Sequence, residues 1–283
     1  MSFAVLLALG SALAYGLSDF LGGLVSRRTS AWSVALVAQS SSAVCALVAA
    51  LFIGGDPRPV HFAWAVLAGV GGGVGACFLY RGFAAGRMSV VGPVSAVGAA
   101  LLPVLVGVVT GERPSLVVWV GVLAALPGIW LVSSTPEDPL APGRDRAPTG
   151  GVVDGVLAGL GFGVLFAALG QVPDSAGWWP LSACQAVSIP SVLVLAMVLG
   201  ADWVPRGRPV RLAVLCGPLG ASATGLFLLA SQHGYLTVAA VVSSLYPAST
   251  VLLAAVLLHE RIHRAQGVGL ALCAVAVVCV AGG

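Results

Sequence analysis

There is no lysine in this chain, and all thirteen basic residues are arginine. Charged residues of either sign make up only 8% of the sequence, against about 25% in a soluble domain. So few charges cannot cover a water-facing surface, which excludes an ordinary soluble globular fold. A net charge of +3 provides no basic footprint, and nucleic acid is not expected as a partner. The six cysteines (Cys45, Cys77, Cys184, Cys216, Cys273, Cys279) form no CxxC pair. That argues against a disulfide framework or a cysteine zinc site. All six lie in apolar runs and read as small buried side chains. An ATP-binding motif is missing too, and neither a metal nor a cofactor is expected. Stretch 1–13 has no positive n-region and many further spans follow it, so it reads as a first membrane helix, not a cleaved signal.

What the chain does contain is apolar: 59% of its residues are hydrophobic. Its solvent is therefore lipid. A helix needs about 20 mostly apolar residues to cross a bilayer, and ten such spans can be read: 3–25, 31–53, 61–84, 88–110, 116–134, 151–171, 178–200, 209–231, 236–258 and 264–281. The expected fold is all-α and integral to the membrane. The abundance of Ala, Val and Gly with no lysine suggests a GC-rich bacterial genome, hence a multi-pass protein of the bacterial cytoplasmic (inner) membrane, as monomer or homodimer.

The chain repeats itself. GRMSVVGPVSAVGAALLPVLVGVVTGER, from Gly86, aligns without a gap on GYLTVAAVVSSLYPASTVLLAAVLLHER, from Gly234. This register superposes Glu112-Arg113 on Glu260-Arg261, 148 positions on (260 − 112). The chain has only three glutamates, and two of them coincide here. Gly86/Gly234, Ser95/Ser243 and Gly121/Gly269 also match. A charged, proline-rich linker, 135–150, separates two five-span halves, 1–134 and 151–283. Five is odd, so the second half enters the membrane from the opposite side. This is an inverted-topology repeat, an architecture of secondary transporters with the solute site near the midplane between the halves.

Loops on the side of the termini hold Arg58 and Arg113. The other eleven arginines (27, 28, 81, 87, 144, 146, 206, 208, 211, 261 and 264) fall on the opposite side. The positive-inside rule then places both termini outside.

The segment LLPVLVGVVTGERPS and its counterpart SSLYPASTVLLAAVLLHERIHRAQGVG each carry an apolar span that ends in a Glu-Arg pair. With the opening ALAYGLSDFLGG, they resemble the drug/metabolite transporter superfamily in its ten-span EamA-like branch. The resemblance covers nearly the whole chain. It implies a basket of ten helices around a central cavity lined by spans 1, 3, 4, 6, 8 and 9. It also implies a small organic cargo, such as an amino acid or related metabolite or drug, exported by alternating access. It further implies cytoplasmic termini, in disagreement with the arginine count.

Candidate solute-binding residues are Tyr15, Ser18, Asp19, Tyr80, Arg81, Ser95, Gln171, Gln232, Ser243 and Tyr246. Asp19 reads as the acid placed well inside a span. An ionisable group there faces the protein interior or a water-filled cavity. It suits either a proton-coupling or substrate-amine role, or an ion pair with Arg81 near the same membrane end. Arg81 can instead bind a substrate carboxylate through two parallel hydrogen bonds, or snorkel to the interface. The tyrosines bring hydroxyls and flat apolar faces, and they also serve as ordinary packing. Ser95, Ser243 and Ser244 sit in repeat-equivalent spans in which Pro93 and Pro247 remove backbone hydrogen bonds, freeing carbonyls to meet solute. Serine also lets helices approach closely. Gln39, Gln171, Gln185 and Gln232 offer hydrogen bonds to solute or between helices.

Two motifs suggest other chemistry. Gly69 to Gly75 is glycine-rich but follows no strand, so it lacks the context of a nucleotide loop. Its glycines four apart suit close helix packing. His259-Glu260-Arg261-Ile262-His263 matches the HExxH zinc protease signature, with Asp154 available as a third ligand. An intramembrane metalloprotease is thus one alternative, and a non-transporting membrane scaffold or lipid-handling protein another. The repeat partner Gly111-Glu112-Arg113-Pro114-Ser115 has no histidine, so duplication already explains the Glu-Arg pair. The chain is therefore read as a transporter, not an enzyme, with no catalytic residues.

Overall fold

The computed structural model describes residues 2–85, 88–133, 148–257 and 263–282. Among these, all regular structure is helical. Five helices form the first half: α1 (Ser2–Ser26), α2 (Ala31–Ile53), α3 (Pro59–Ala84), α4 (Met88–Val109) and α5 (Leu116–Ser133). The second half holds α6 (Pro148–Leu169), α7 (Trp179–Val198), α8 (Cys216–Gln232), α9 (Leu236–Ser243), α10 (Tyr246–Leu257) and α11 (Arg264–Gly282). A 3-10 turn, Pro209–Leu215, leads into α8. Eight segments are long and apolar enough to span a bilayer, and two shorter apolar ones, Leu116–Val132 and Leu236–Leu252, bring the spans to ten. Leu6, Phe52, Val109, Leu116 and Val278 are among the large apolar side chains left on the outside, where lipid covers them.

Hydrogen bonds between loops fix which turns share a face. The α2–α3 loop meets the α6–α7 loop, where Asp56 N donates to Ser175 O at 2.9 Å and Trp178 N to Gly54 O at 3.2 Å. At the opposite end, the α1–α2 turn meets the α7–α8 loop through Ser30 Oγ to Asp202 O and Ser33 Oγ to Val204 O. The second and sixth turns thus share one end of the bundle and the first and seventh the other, as alternating crossings require.

The packing follows the repeat. In repeat correspondence, α1 to α3 match α6 to α8, α4 matches α9 with α10, and α5 matches α11. Helix α3 packs on α6 and α7, and its equivalent α8 packs on α1 and α2. The self-equivalent pairs, α2 with α7 and α5 with α11, also touch. Each half is therefore completed by the other.

Small residues permit these approaches. Gly69 and Gly73 face α7, where a Cβ at Gly73 would lie 2.7 Å from Ser191 Cβ. Gly71 and Gly75 face α6, where a Cβ at Gly75 would lie 2.6 Å from the Phe162 ring. The glycine-rich run thus serves two helix contacts at once. In α5 and α11, the repeat-equivalent Gly121 and Gly269 do the same: Gly121 lies against Ala276 and Val280, and Gly269 against Gly128 and Val132.

The ninth span differs from its continuous counterpart α4. It breaks at Ser244-Leu245 between α9 and α10. Pro247 explains the break, because it has no N–H to donate and its ring clashes with the carbonyl four residues back, that of Ser243. Ser244 Oγ, at the break, is buried without a hydrogen-bond partner.

Candidate functional site

Six helices surround a cavity between the two halves. Helix α1 contributes Tyr15, Ser18 and Asp19, whose i, i+3, i+4 spacing puts them on one face. Helix α3 contributes Gly72, Ala76, Leu79 and Tyr80, and α8 contributes Cys216, Gly220 and Thr224, again at one-turn intervals. The rest of the lining is Ala38, Gln39 and Ser42 of α2, Phe162 and Leu165 of α6, and Gln185 of α7. These positions lie in the C-terminal halves of α1 and α3 and the N-terminal half of α8. The cavity therefore sits in the part of the bundle nearer the α1–α2 turn.

Among the described residues, the wall of this cavity differs from the expected ring of spans 1, 3, 4, 6, 8 and 9 at two places: α2 and α7 contribute to it, and α4 and the α9–α10 pair do not. The physical reason is the hydrogen bond that ties the latter two together. Ser95 Oγ donates to Gly92 O at 2.9 Å, which uses its only proton. Tyr246 must therefore be the donor in its 2.6 Å bond to Ser95 Oγ. That contact turns both hydroxyls toward each other.

Asp19 is buried, at 8% exposure, and lines the cavity. The expected Asp19–Arg81 ion pair is not formed. Arg81 pairs instead with Asp154 of α6, donating through Nε to Oδ1 at 2.8 Å and also through Nη2. Its guanidinium carbon sits 4.4 Å from the centre of the Phe78 ring. Asp154 is itself buried inside a span, so Asp19 is not the only such acid. The sequence places Arg81 and Asp19 at the same membrane end, but α6 is the neighbour that α3 presents Arg81 to. Asp19 is left without an ion pair or hydrogen bond to any described residue. The titratable groups facing it are Tyr15 on its own helix, Tyr80 on α3, Cys216 on α8 and Tyr246 on α10. Among the described residues, no cationic side chain lines the cavity.

Of the ten candidate residues, Tyr15, Ser18, Asp19 and Tyr80 line this cavity. The others make hydrogen bonds or packing contacts within the bundle. Gln171 Nε2 donates to Ala167 O at 3.4 Å within α6's end, and Gln232 Nε2 to Val172 O at 3.2 Å. Ser243 Oγ donates to Ala8 O at 3.5 Å. Tyr246 lies behind Tyr15, with ring centres 6.4 Å apart. Thr224 Oγ1 donates to Gly220 O at 2.8 Å, so Tyr15 OH donates to Thr224 Oγ1, also at 2.8 Å. Gln185 Nε2 donates to Ser42 Oγ at 2.6 Å. Gln39 makes no hydrogen bond to the described residues. Sequence reasoning did not single out Ser42, Phe162, Cys216, Gly220 or Thr224, because an apolar or small residue inside a span gives no signal of which way it faces.

Of the HExxH motif, residues 259–262 lie outside the described residues. Asp154, its candidate third ligand, is engaged by Arg81.

A search of curated proteins finds no match. Among solved structures, a chain titled only "Crystal structure of protein" superposes with a TM-score of 0.72 at 18% identity, covering 98% of this chain and 95% of its own. At that identity the likeness speaks for the fold. The pattern of the EamA-like transporter family matches residues 2–134 and again 149–282. Two copies of one family unit, back to back around a shared cavity, place the chain in the EamA-like transporter family.

Proposed function

We propose that this protein is a secondary carrier that moves a small organic solute across the bacterial cytoplasmic membrane by alternating access. The observation that carries this reading is the cavity between the repeats, with an unpaired acid, Asp19, in its wall. In the inverted-repeat mechanism the halves rock around such a site. The cavity lies nearer the arginine-rich face, which the positive-inside rule makes cytoplasmic. Loading from the cytoplasm and export follow, with a solute the size of an amino acid or a related metabolite.

Asp19 also offers a coupling device. A carboxylate with no protein partner in a membrane interior can take up a proton or a solute, but not both through the same oxygens. Exchange of outward-moving solute for inward-moving proton then needs no second site. Tyr15, Tyr80 and Cys216 share the wall with it.

A solute panel in proteoliposomes, with and without an imposed pH gradient, tests both steps. Flux of at least one small organic solute, accelerated by the gradient in the wild type and not in Asp19→Asn, is the expected result. Intact protein that moves no solute would overturn the carrier reading. Flux indifferent to the gradient would overturn the coupling.

A further inference from the structure

We infer that the cavity selects organic cations, specifically an amine or ammonium group borne on an aromatic or similarly flat apolar body. The inference rests on reading this cavity as the solute site. Its charge content decides the sign. Among the described residues, Asp19 is the only carboxyl or basic group in the wall; the remaining titratable groups there are phenols and a thiol. The arginine that the sequence offers as an anion partner, Arg81, is occupied by Asp154 and by the Phe78 ring. A solute carboxylate entering here meets another carboxyl and, among the described residues, no cation. A zwitterionic amino acid would satisfy its ammonium on Asp19 and leave its carboxylate desolvated without a counter-charge, which is costly in a low-dielectric site.

The neutral lining fits the same ligand. Tyr15, Tyr80 and Phe162 surround the cavity with three aromatic rings, whose electron-rich faces attract ammonium groups and stack on flat apolar bodies. Gln185 spends its Nε2 on Ser42, which leaves its Oε1 to accept from an N–H. Gln39 has both ends of its amide uncommitted among the described residues. Two amide oxygens that can accept from N–H groups therefore accompany the carboxyl in the lining. The closeness of the rings is built in: a Cβ on Gly22 would lie 2.6 Å from Tyr80 ring atoms, so the glycine lets that ring sit against α1.

The test holds shape nearly constant and varies charge. Titration calorimetry on the purified full-length protein at neutral pH would compare phenethylamine, phenylalanine and 3-phenylpropionate. Phenethylamine is expected to bind tighter than either of the others by about tenfold or more. Asp19→Asn should remove that preference, and Asp19→Glu should keep most of it. Equal or tighter binding of phenylalanine or phenylpropionate to the wild type overturns the inference, whether or not Asp19→Asn folds. So does an Asp19→Asn variant that is monodisperse and still prefers the amine. A flux arm uses phenyltrimethylammonium in proteoliposomes, because its fixed charge prevents passive leakage. Amine binding without flux would retire the carrier reading and leave the cation site standing. Preferred flux of phenylalanine would do the reverse.

Discussion

Glu112, one turn beyond the end of α4, accepts a hydrogen bond from Thr237 N–H at 3.0 Å and another from Leu236 N–H, at the first turn of α9. A carboxylate of the first half thereby caps a helix of the second. The local sequence Thr110-Gly111-Glu112 arranges this. Gly111 takes φ +103, which glycine adopts without strain, and Glu112 N returns to Gly107 O at 2.9 Å. Gly107 leaves room for the carboxylate, since a Cβ there would lie 2.9 Å from Glu112 Cδ and 2.7 Å from Thr237 Oγ1. The repeat motif that marked the duplication thus binds the two halves together on the face of the termini.

Loss of this cap should weaken the assembly. Glu112→Ala is expected to destabilise the protein by about 1 kcal/mol, the usual cost of a lost N-cap, with an added loss of favourable charge at the helix N-terminus. Glu112→Gln keeps the acceptor oxygen and should recover part of the loss. Thermal unfolding in detergent measures both, and equal melting temperatures for all three proteins would contradict the role.

The Arg81–Asp154 pair should respond asymmetrically. Arg81 is 37% exposed and Asp154 only 4%. Removing Arg81 strands a buried carboxylate, for which the expected cost is about 3 kcal/mol. Removing Asp154 leaves an arginine that can reach the interface, so solvent screening reduces the cost to about 1 kcal/mol. Arg81→Gln should therefore be the more damaging change, and adding Asp154→Asn to it should restore stability. A double-variant cycle on unfolding checks the order.

Gly22→Ala should injure the site while sparing the fold. The added methyl collides with the Tyr80 ring, at the end of a side chain that can turn into the cavity. The expected outcome is a monodisperse protein with solute affinity lowered by about tenfold, in the range of a small overpacking penalty. Binding unchanged from wild type would mean that the ring's position is irrelevant to the ligand.

Gly161→Val should be harsher. Gly161 packs directly on the backbone of α3, where a Cβ would lie 2.5 Å from Gly75 N. No side chain can yield there, so α3 and α6 must separate, at an expected cost of about 3 kcal/mol. Poor yield or early melting is the expected observation.

Orientation can be decided by topology reporters fused at the two ends. The two-to-eleven arginine asymmetry predicts that both termini report outside. Cytoplasmic signals from both would favour the family expectation over the charge rule.

Much of this was legible in the residues. The lipid solvent followed from missing charge, the ten spans from apolar runs, and the inverted repeat from one gapless register. The close-packing role of the Gly69 to Gly75 run was visible as well, though not that it serves two partners. What escaped was direction around the helix axis. In a soluble protein, a polar stripe marks the face turned to water and its opposite marks the core. Here lipid and core are both apolar, so Phe162 and Thr224 read no differently from residues facing the bilayer. The pairing of Arg81 escaped for a related reason: chain order says which end of the membrane a charge occupies, and not which neighbour stands beside it. Sequence alone determined the solvent, the number of crossings and the symmetry. Tertiary packing decided that α2 and α7 replace α4 and α9 around the cavity, that Asp154 takes Arg81, and that Asp19 is left alone facing the space between the halves.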